Sequence, residues 1–218
     1  MYPGRHLPPA SGPDSPVDEP NLFDLLKDRR SIRKYRKTKP DPRQIDRIID
    51  AASYAPSAHN AQPWRFYVVS DEKKRDDLIE QMAARFRQDM VKDRVTEKVI
   101  SQKTRQSARL FGNAPLLIVA GIDMTAMDKY SDAARQQAET LMATQSLAAA
   151  IQNLLLAAKA IGLGGCWYCA PLFCSAVVKS VLSLPEAFVP QALITLGYPA
   201  ERPPAPPRLK LDEIRFTI

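Results

Sequence analysis

Apolar residues in the first half of the chain recur with the spacing of a helix and of two strands. The helical pattern precedes Pro56 and consists of Ile45, Ile48, Ile49 and Ala52. Residues 65–69 combine aromatic and β-branched side chains and predict a strand. Residues 114–120 are apolar throughout, which predicts a strand in the centre of a sheet, and the charged residues 71–108 have a mostly helical pattern.

The second half of the chain opens with a long apolar segment, residues 132–161, which predicts one helix rich in alanine, leucine and glutamine. Three glycines end this pattern: Gly162, Gly164 and Gly165. Residues 140–158 carry no charge, but polar side chains that would be costly in lipid interrupt them, so we predict a helix buried in protein. A short helix at 175–182 and a strand at 191–198 follow.

The two ends of the chain differ from its middle. Residues 1–20 hold six prolines and few large apolar groups, so we predict a flexible, proline-rich tail. Residues 21–218 predict one domain of helices and strands around a single sheet, because 218 residues suit one substantial domain. The arm formed by residues 199–218 begins with another proline-rich stretch and is suited to reach across a partner.

Composition narrows the class of protein and of ligand. A hydrophobic fraction of 45% and a charged fraction of 25% are typical of an ordinary globular protein. The formal net charge of +7 is compatible with an anionic ligand, a nucleic acid or an acidic membrane surface. The chain starts without a secretory signal pattern, and three cysteines cannot form a complete disulfide framework, so we expect a cytoplasmic protein.

Much of the positive charge is concentrated in the basic segment, residues 27–43. Arg29, Arg30, Ser31 and Arg33 can surround a phosphate, since guanidinium groups form bidentate, charge-assisted hydrogen bonds and serine adds a donor. The alternatives are a solvated basic face or a nucleic-acid surface.

A polar loop separates the first predicted helix from the first strand. Asn60 and Gln62 each offer an amide donor and an acceptor, which suits the edge of a heterocycle with alternating carbonyl and N–H groups. Taken alone, the loop is equally compatible with an ordinary turn.

Four motifs in order resemble the FMN-dependent nitroreductase family over residues 22–215. They are Arg-Arg-Ser-Ile-Arg, Ala-Pro-Ser-x-x-Asn-x-Gln-Pro-Trp-x-Phe, Gly-Leu-Gly-Gly-Cys-Trp and Leu-Gly-Tyr-Pro-Ala. Within the family, the chain looks most like the flavin domain of the deazaflavin-coenzyme glutamyl ligases. The resemblance implies an α+β fold with a mixed central sheet flanked by helices, in an intertwined homodimer.

The same resemblance implies roles for individual residues. Arg29 and Ser31 would grip the FMN phosphate with help from Arg30, Arg208 would close on it, and Arg33 would approach the pyrimidine edge of the flavin. The polar loop would reach the flavin site of the other subunit through four residues: Pro56, Ser57, Asn60 and Gln62.

The cysteines at 166 and 169 have the C-x-x-C spacing of a redox dithiol or of half a zinc site. A dithiol motif opens a helix after a strand, whereas this one follows a long helix, and the cysteines and histidines are too few for a convincing zinc site. We therefore predict no metal. The resemblance implies instead that the backbone N–H groups of Cys169 and Ala170 face the reacting edge of the flavin.

These observations predict an FMN-dependent oxidoreductase in which NADH or NADPH reduces the flavin and a nitroaromatic, quinone or related small acceptor reoxidises it, in a ping-pong sequence. Catalysis would rest on the flavin N5, tuned by Arg33, rather than on a protein acid or base. Alternatives are a flavin enzyme that uses oxygen or a deazaflavin partner, a flavin protein without turnover, and a nucleic-acid-binding module.

Overall fold

The structure is a computed structural model that describes residues 22–218. Within this range the helices are α1 (Leu22–Asp28), α2 (Pro42–Ser53), α3 (Glu72–Lys92), α4 (Glu97–Gly112), α5 (Ala133–Ala160), α6 (Ser175–Leu182) and α7 (Leu211–Ile214). The strands are β1 (Trp64–Val69), β2 (Leu116–Asp123), β3 (Gly164–Tyr168) and β4 (Phe188–Gly197). The predicted tail at 1–20 lies outside the described residues.

The strands form one sheet in the order β1-β2-β4-β3, so β2 is an inner strand as its apolar sequence predicts. The α+β class is confirmed, but the sheet of residues 22–218 is antiparallel in every strand pairing rather than mixed. The connections explain the difference. The helices α3 and α4 form a hairpin that returns the chain to the end of β1, and β4 is inserted between β2 and β3, which run parallel to each other.

Helices cover both faces of the sheet, because side chains alternate between its faces along each strand. Ile118 and Ile194 point toward α2 and α5 and belong to one buried cluster. Leu117 and Leu193 point the opposite way and pack with residues of α3, α4 and α6. The sheet is thus the middle layer of three, and its strand ends and edges are the places left for a site.

The long helix α5 is the one helix of the described residues that is long and apolar enough to cross a membrane by length and composition. Its side chains Leu147, Ile151 and Leu154 are buried in the core against the sheet, as the interpretation of a helix buried in protein requires. The Asp132 side chain caps its first turn, and Gly162 ends it with a φ of 79°, a conformation that favours glycine.

Several element boundaries differ from the sequence pattern, including those of β2, which spans Leu116–Asp123 rather than residues 114–120. The charged segment 71–108 divides into α3 and α4 at Arg94, whose φ is 57°, and α4 runs on to Gly112. Strand β4 begins at Phe188 rather than residue 191, although Pro190 lacks an N–H. The register of β2 shifts between Ala120 and Gly121, opposite this proline, and this irregularity accommodates it.

Candidate functional site

The basic segment lies along the outer edge of β3. Ser31 forms an isolated parallel bridge with Gly165, and the Ile32 N–H donates to the Gly165 carbonyl at 3.1 Å. Further along, the Arg36 N–H donates to the Tyr198 carbonyl at 2.9 Å. The backbone of residues 31–36 is therefore fixed to the sheet.

Gly164 permits this close approach. A Cβ atom at Gly164 would lie 2.7 Å from Cγ1 of Ile32 and 3.0 Å from Cγ of Pro199, which is closer than packed carbon atoms come. The glycine that ends the long helical pattern is therefore also required for the basic segment to reach the sheet edge.

The Tyr35 side chain fixes the basic segment to strand β4. Its hydroxyl lies 2.7 Å from the Thr195 hydroxyl and also donates to the Ile32 carbonyl. Burial raises the pKa of the Tyr35 hydroxyl far above its usual range, so the group stays protonated and able to donate. Sequence reasoning missed this residue, because its partners are distant along the chain.

The carboxylate of Glu201 joins the C-terminal arm to the basic segment. It accepts hydrogen bonds from the N–H groups of Arg33 at 2.7 Å and Lys34 at 3.1 Å. The Ala200 N–H in turn donates to the Lys34 carbonyl at 2.9 Å. These bonds hold the arm so that residues 203–208 face the arginines, a contact that no local sequence signal indicates.

The arginines and the arm enclose a cavity of about 290 Å³, which we call the arginine cavity. Its polar lining consists of Arg29, Arg30, Ser31, Arg33 and Arg208. The structure thus brings together all five residues that the resemblance assigned to the phosphate and pyrimidine side of the flavin. The prolines at 203, 204 and 206 form the opposite wall.

The electrostatics of the arginine cavity favour an anion. Burial lowers the pKa of the Arg29 guanidinium, and the neighbouring positive charges of Arg208 and Arg30 lower it further. Arginine remains charged nevertheless, so the cavity holds several like charges that a doubly charged anion would compensate. Nε of Arg30 is buried and lacks a hydrogen-bond partner within residues 22–218, as expected of a donor whose acceptor is a ligand.

A second cavity of about 380 Å³ adjoins the first and shares Arg29 and Arg30 with it. Its floor includes Gly165 of β3, and Lys159 in the last turn of α5 adds another cation. Glu201 also lines it. Lys159 is a residue that sequence reasoning missed, although a basic residue in the last turn of a helix is a recognisable signal.

The polar loop is built from unusual backbone geometry. Asn60 and Gln62 both have a positive φ, near 50°, and the Ser57 hydroxyl accepts the Gln62 N–H at 3.1 Å. The amides of Asn60 and Gln62 contact each other at 3.4 Å and are exposed, as is Pro56. The Gln62 amide donates to the Asn60 Oδ1 in this contact, and the remaining polar atoms of the two exposed amides are open to a ligand or a partner.

The polar loop lies well away from the arginine cavity of the same chain. The Ala58 N–H donates to Ser146 of α5 at 3.3 Å, whereas the second cavity, which adjoins the arginine cavity, reaches α5 at Leu155 and Lys159. The nearer of these, Leu155, is nine residues from Ser146 on one helix, which is roughly 14 Å at the α-helical rise. The structure does not unite the loop residues with the arginines within one chain.

Strand β3 leads from the arginine cavity to Cys169 and Ala170. Cys169 lies four residues beyond Gly165, roughly 13 Å along an extended chain, and its side chain is exposed. Cys166 is buried within the strand, so the two thiols differ in access and no disulfide joins them. Beyond Cys169 the chain turns, because residues 170–173 form a short 3-10 helix.

Ala170 also lines a cavity of about 330 Å³ between α3 and α4, which we call the α3–α4 cavity. Its lining is rich in large methionine and phenylalanine side chains: Met82, Phe86, Met90, Phe111 and Phe173. The Nε of Arg85 donates to both carboxylate oxygens of Asp89 at 3.0 Å in the same lining. Apolar walls with a few polar groups are typical of a site for a small organic molecule.

Comparison with known proteins gives a consistent result. The model of the Nitroreductase family matches residues 26–198. A Methanothermobacter thermautotrophicus protein, provisionally named NADH dehydrogenase/NAD(P)H nitroreductase, is 29% identical over 205 residues, covering 93% of this chain and 90% of its own. The iodotyrosine deiodinase of Thermotoga neapolitana is 28% identical over 189 residues, covering 86% and 93%. Among crystal structures, a provisionally named nitroreductase of Desulfovibrio desulfuricans in complex with FMN is 26% identical, with a TM-score of 0.69 and coverage of 92% and 98%.

Proposed function

Because this chain belongs to the nitroreductase family and is an FMN-dependent NAD(P)H oxidoreductase, we propose that it reduces a nitroaromatic, a quinone or a related small acceptor with electrons from NADH or NADPH. The observation that carries the proposal is the arginine cavity, since it supplies the concentrated positive charge that a flavin phosphate requires. The nitroreductase name of one relative supports a nitro compound as the acceptor, and the deiodinase name of another supports a halogenated aromatic as the competing class.

The residues of the arginine cavity fit FMN in charge and in hydrogen-bonding capacity. Arg29, Arg208 and the Ser31 hydroxyl would hold the phosphate, and the unpartnered Nε of Arg30 is a further donor. When bound, FMN supplies two-electron chemistry, accepting a hydride equivalent from the nicotinamide and releasing the electrons to the acceptor. The Arg33 guanidinium would stabilise negative charge at the pyrimidine edge.

Strand β3 sets the direction of the flavin ring. The chain is extended from Gly165 to Tyr168 and leads from the second cavity, which adjoins the arginine cavity, toward exposed Cys169. The N–H groups of Cys169 and Ala170 would then face the reacting edge and orient it. Donor and acceptor would bind to the same open face in turn, which agrees with a ping-pong sequence.

A second copy of the chain is needed to complete this site. The polar loop lies roughly 14 Å along α5 from the second cavity, which adjoins the arginine cavity, so we assign the amides of Asn60 and Gln62 to the flavin of a partner copy. Large apolar side chains that a monomer leaves exposed support a homodimer. They lie in α1 and the C-terminal arm and include Leu22, Phe23, Leu211, Ile214 and Phe216.

We assign the α3–α4 cavity to the small acceptor. It shares Ala170 with the segment that would face the reacting edge, and its aromatic and methionine side chains suit a flat organic molecule. Outside the arginine cavity, Lys39 of the basic segment forms an ion pair with Glu72 at 2.7 Å, which engages one of the charges that a nucleic acid would need. The cytoplasm, where NADH and NADPH are available, is the proposed location.

Anaerobic reduction tests the proposed function directly. Purified protein loaded with FMN should lose its yellow absorbance when NADH or NADPH is added without oxygen, and a nitroaromatic or a quinone added next should restore it. Restoration by oxygen alone would favour an oxygen-using flavin enzyme. Bleaching by a reduced deazaflavin but by neither nicotinamide would identify the alternative donor. Absorbance that no donor changes would contradict the proposal and indicate a flavin protein without turnover.

Two substitutions at Cys169 separate the role of its thiol from the role of its backbone. Cys169→Ser should leave FMN content unchanged and the rate of reduction within about twofold, because the exposed thiol makes no hydrogen bond within the described chain. Cys169→Pro removes the N–H at a φ of −89°, which lies just beyond the range that proline prefers, so it should slow reduction roughly tenfold by deleting one donor to the flavin. Stopped-flow absorbance measures both rates.

The reduction rates of the two Cys169 variants decide whether the thiol or the backbone N–H of this residue takes part in the reaction. Complete loss of turnover in Cys169→Ser with FMN retained would mean that the thiol takes part in the reaction. Equal rates for Cys169→Pro and the unaltered protein would mean that the amide does not contact the reacting edge. The proposal requires a normal serine variant and a slow proline variant.

A further inference from the structure

A group of metal-ligating side chains lies beneath the polar loop, apart from the arginine cavity. His59, Asp128 and Glu139 come from the loop, from the connection after β2 and from the second turn of α5. One potential ligand atom from each of the three side chains lies within 4.8 Å of the others. Three segments distant in sequence therefore converge on one point.

The buried carboxylate of Glu139 gives this group its significance. The Glu139 side chain is only 3% exposed, and its Oε2 is buried without any hydrogen-bond partner among residues 22–218. Oε1 lies 3.8 Å from Nε2 of His59, which is too far for a hydrogen bond. A buried carboxylate normally has several hydrogen-bond donors or a cation beside it. Within the described chain, the Glu139 carboxylate lacks both of these partners.

No lysine or arginine of the described chain compensates this charge. The ion pairs of residues 22–218 give Glu139 no partner other than His59. Asp128 adds a second carboxylate to the same point rather than a cation. The group therefore combines a buried carboxylate with an exposed one beside it, and a bound cation would compensate both.

The backbone holds His59 over α5 in an uncommon conformation. Its φ is 55°, and the flanking residues fix it there, since the Ala58 N–H donates to Ser146 and the Asn60 N–H donates to the Ser57 carbonyl at 3.1 Å. Such strain in a residue other than glycine is a feature of functional positions. It directs the imidazole at the buried carboxylate.

We propose that His59, Asp128 and Glu139 form a site for a divalent transition-metal ion, with Zn²⁺ as the representative species. One imidazole and two carboxylates are a ligand set that Zn²⁺ accepts, and three protein ligands leave a fourth position for water. Ligand atoms in a tetrahedral zinc site lie about 3.4 Å apart, so the exposed His59 and Asp128 need to move inward by only about 1 Å. Mg²⁺, which prefers oxygen ligands in an octahedron, suits the site poorly.

This site differs from the zinc site that the sequence analysis rejected. A zinc site of cysteines and histidines alone would need more of these residues than the chain offers, whereas here two carboxylates supply the remaining ligands. The ion would fix the polar loop to α5 and thereby hold Asn60 and Gln62 in place. Its occupancy is independent of the proposed oxidoreductase activity and can be measured without flavin.

Zinc titration of the full-length protein tests the proposal. Protein purified without a histidine tag and treated with a chelator should bind one Zn²⁺ per chain with a micromolar or lower Kd, measured by competition with a chromophoric chelator. His59→Gln, Asp128→Asn and Glu139→Gln should each weaken binding at least tenfold. Asp128 is exposed, so its variant should fold even if Glu139→Gln does not. Excess Mg²⁺ should not displace the zinc.

The chain provides matched controls, because it contains two histidines and three cysteines. His6→Gln and Cys169→Ser should bind Zn²⁺ as the unaltered protein does. X-ray absorption at the zinc edge should detect nitrogen and oxygen neighbours at about 2.0–2.2 Å and no sulfur at about 2.3 Å. Binding no tighter than millimolar, binding that survives the three ligand variants, or a sulfur signal would each overturn the proposal.

Discussion

Replacing Arg29 with alanine should yield a protein that purifies without the yellow colour of bound FMN. Arg29 is half-buried in the arginine cavity, and burial together with the neighbouring charge of Arg208 lowers the pKa of its guanidinium. Loss of its charge-assisted hydrogen bonds to a phosphate should cost about 3 kcal/mol, which is roughly a 100-fold weaker Kd for FMN. Quenching of flavin fluorescence measures this change.

Riboflavin provides an internal control because it lacks the phosphate. Arg29→Ala should weaken FMN binding strongly and leave the weaker binding of riboflavin nearly unchanged. Arg47→Ala removes the same charge from an exposed position on α2 and should affect neither ligand. A similar loss for FMN and riboflavin in Arg29→Ala would show that the residue acts on the fold or on the ring, and would contradict its assignment to the phosphate.

Local sequence patterns predicted most elements of the fold because their causes are local. The spacing of Ile45 and Ile48 marks the buried face of α2, and α6 has the same boundaries in the structure as in the pattern. The strand directions could not be predicted in this way, since they depend on how α3 and α4 return the chain and on the insertion of β4. The position of Pro190 inside β4 could not be predicted either, because it depends on the register shift in the neighbouring strand β2.

The candidate site likewise contains residues that local sequence patterns could predict and residues that they could not. The arginines at 29, 30 and 33 are neighbours in sequence, so a motif suffices to find them. Glu201 and Tyr35 could not be found, because each acts through hydrogen bonds to partners about 160 residues away. Glu139 was hidden for a related reason. A glutamate within an otherwise apolar helix is unremarkable until the fold shows that His59 and Asp128 lie beside it.

Mixing two inactive variants should restore activity if the site is shared between two copies. The first variant carries Arg29→Ala, and the second carries Asn60→Ala with Gln62→Ala. In a mixed dimer one site contains both lesions, whereas the other combines an intact arginine cavity with an intact polar loop. Random exchange makes half of the dimers mixed, so activity should rise from nearly none to roughly a quarter of that of the unaltered protein.

The experiment distinguishes a shared site from a site within one chain. The two variants should be co-expressed with different affinity tags, and dimers that carry both tags should be isolated and assayed for NAD(P)H oxidation. Such dimers should have about half the activity of the unaltered dimer and should bind about one FMN per pair of chains. A site contained within one chain predicts no recovery, since every chain then carries a lesion of its own. Mixed dimers that form but remain inactive would therefore contradict the assignment of the polar loop to the partner, while leaving the Arg29 prediction intact, because that prediction concerns only the arginine cavity within one chain.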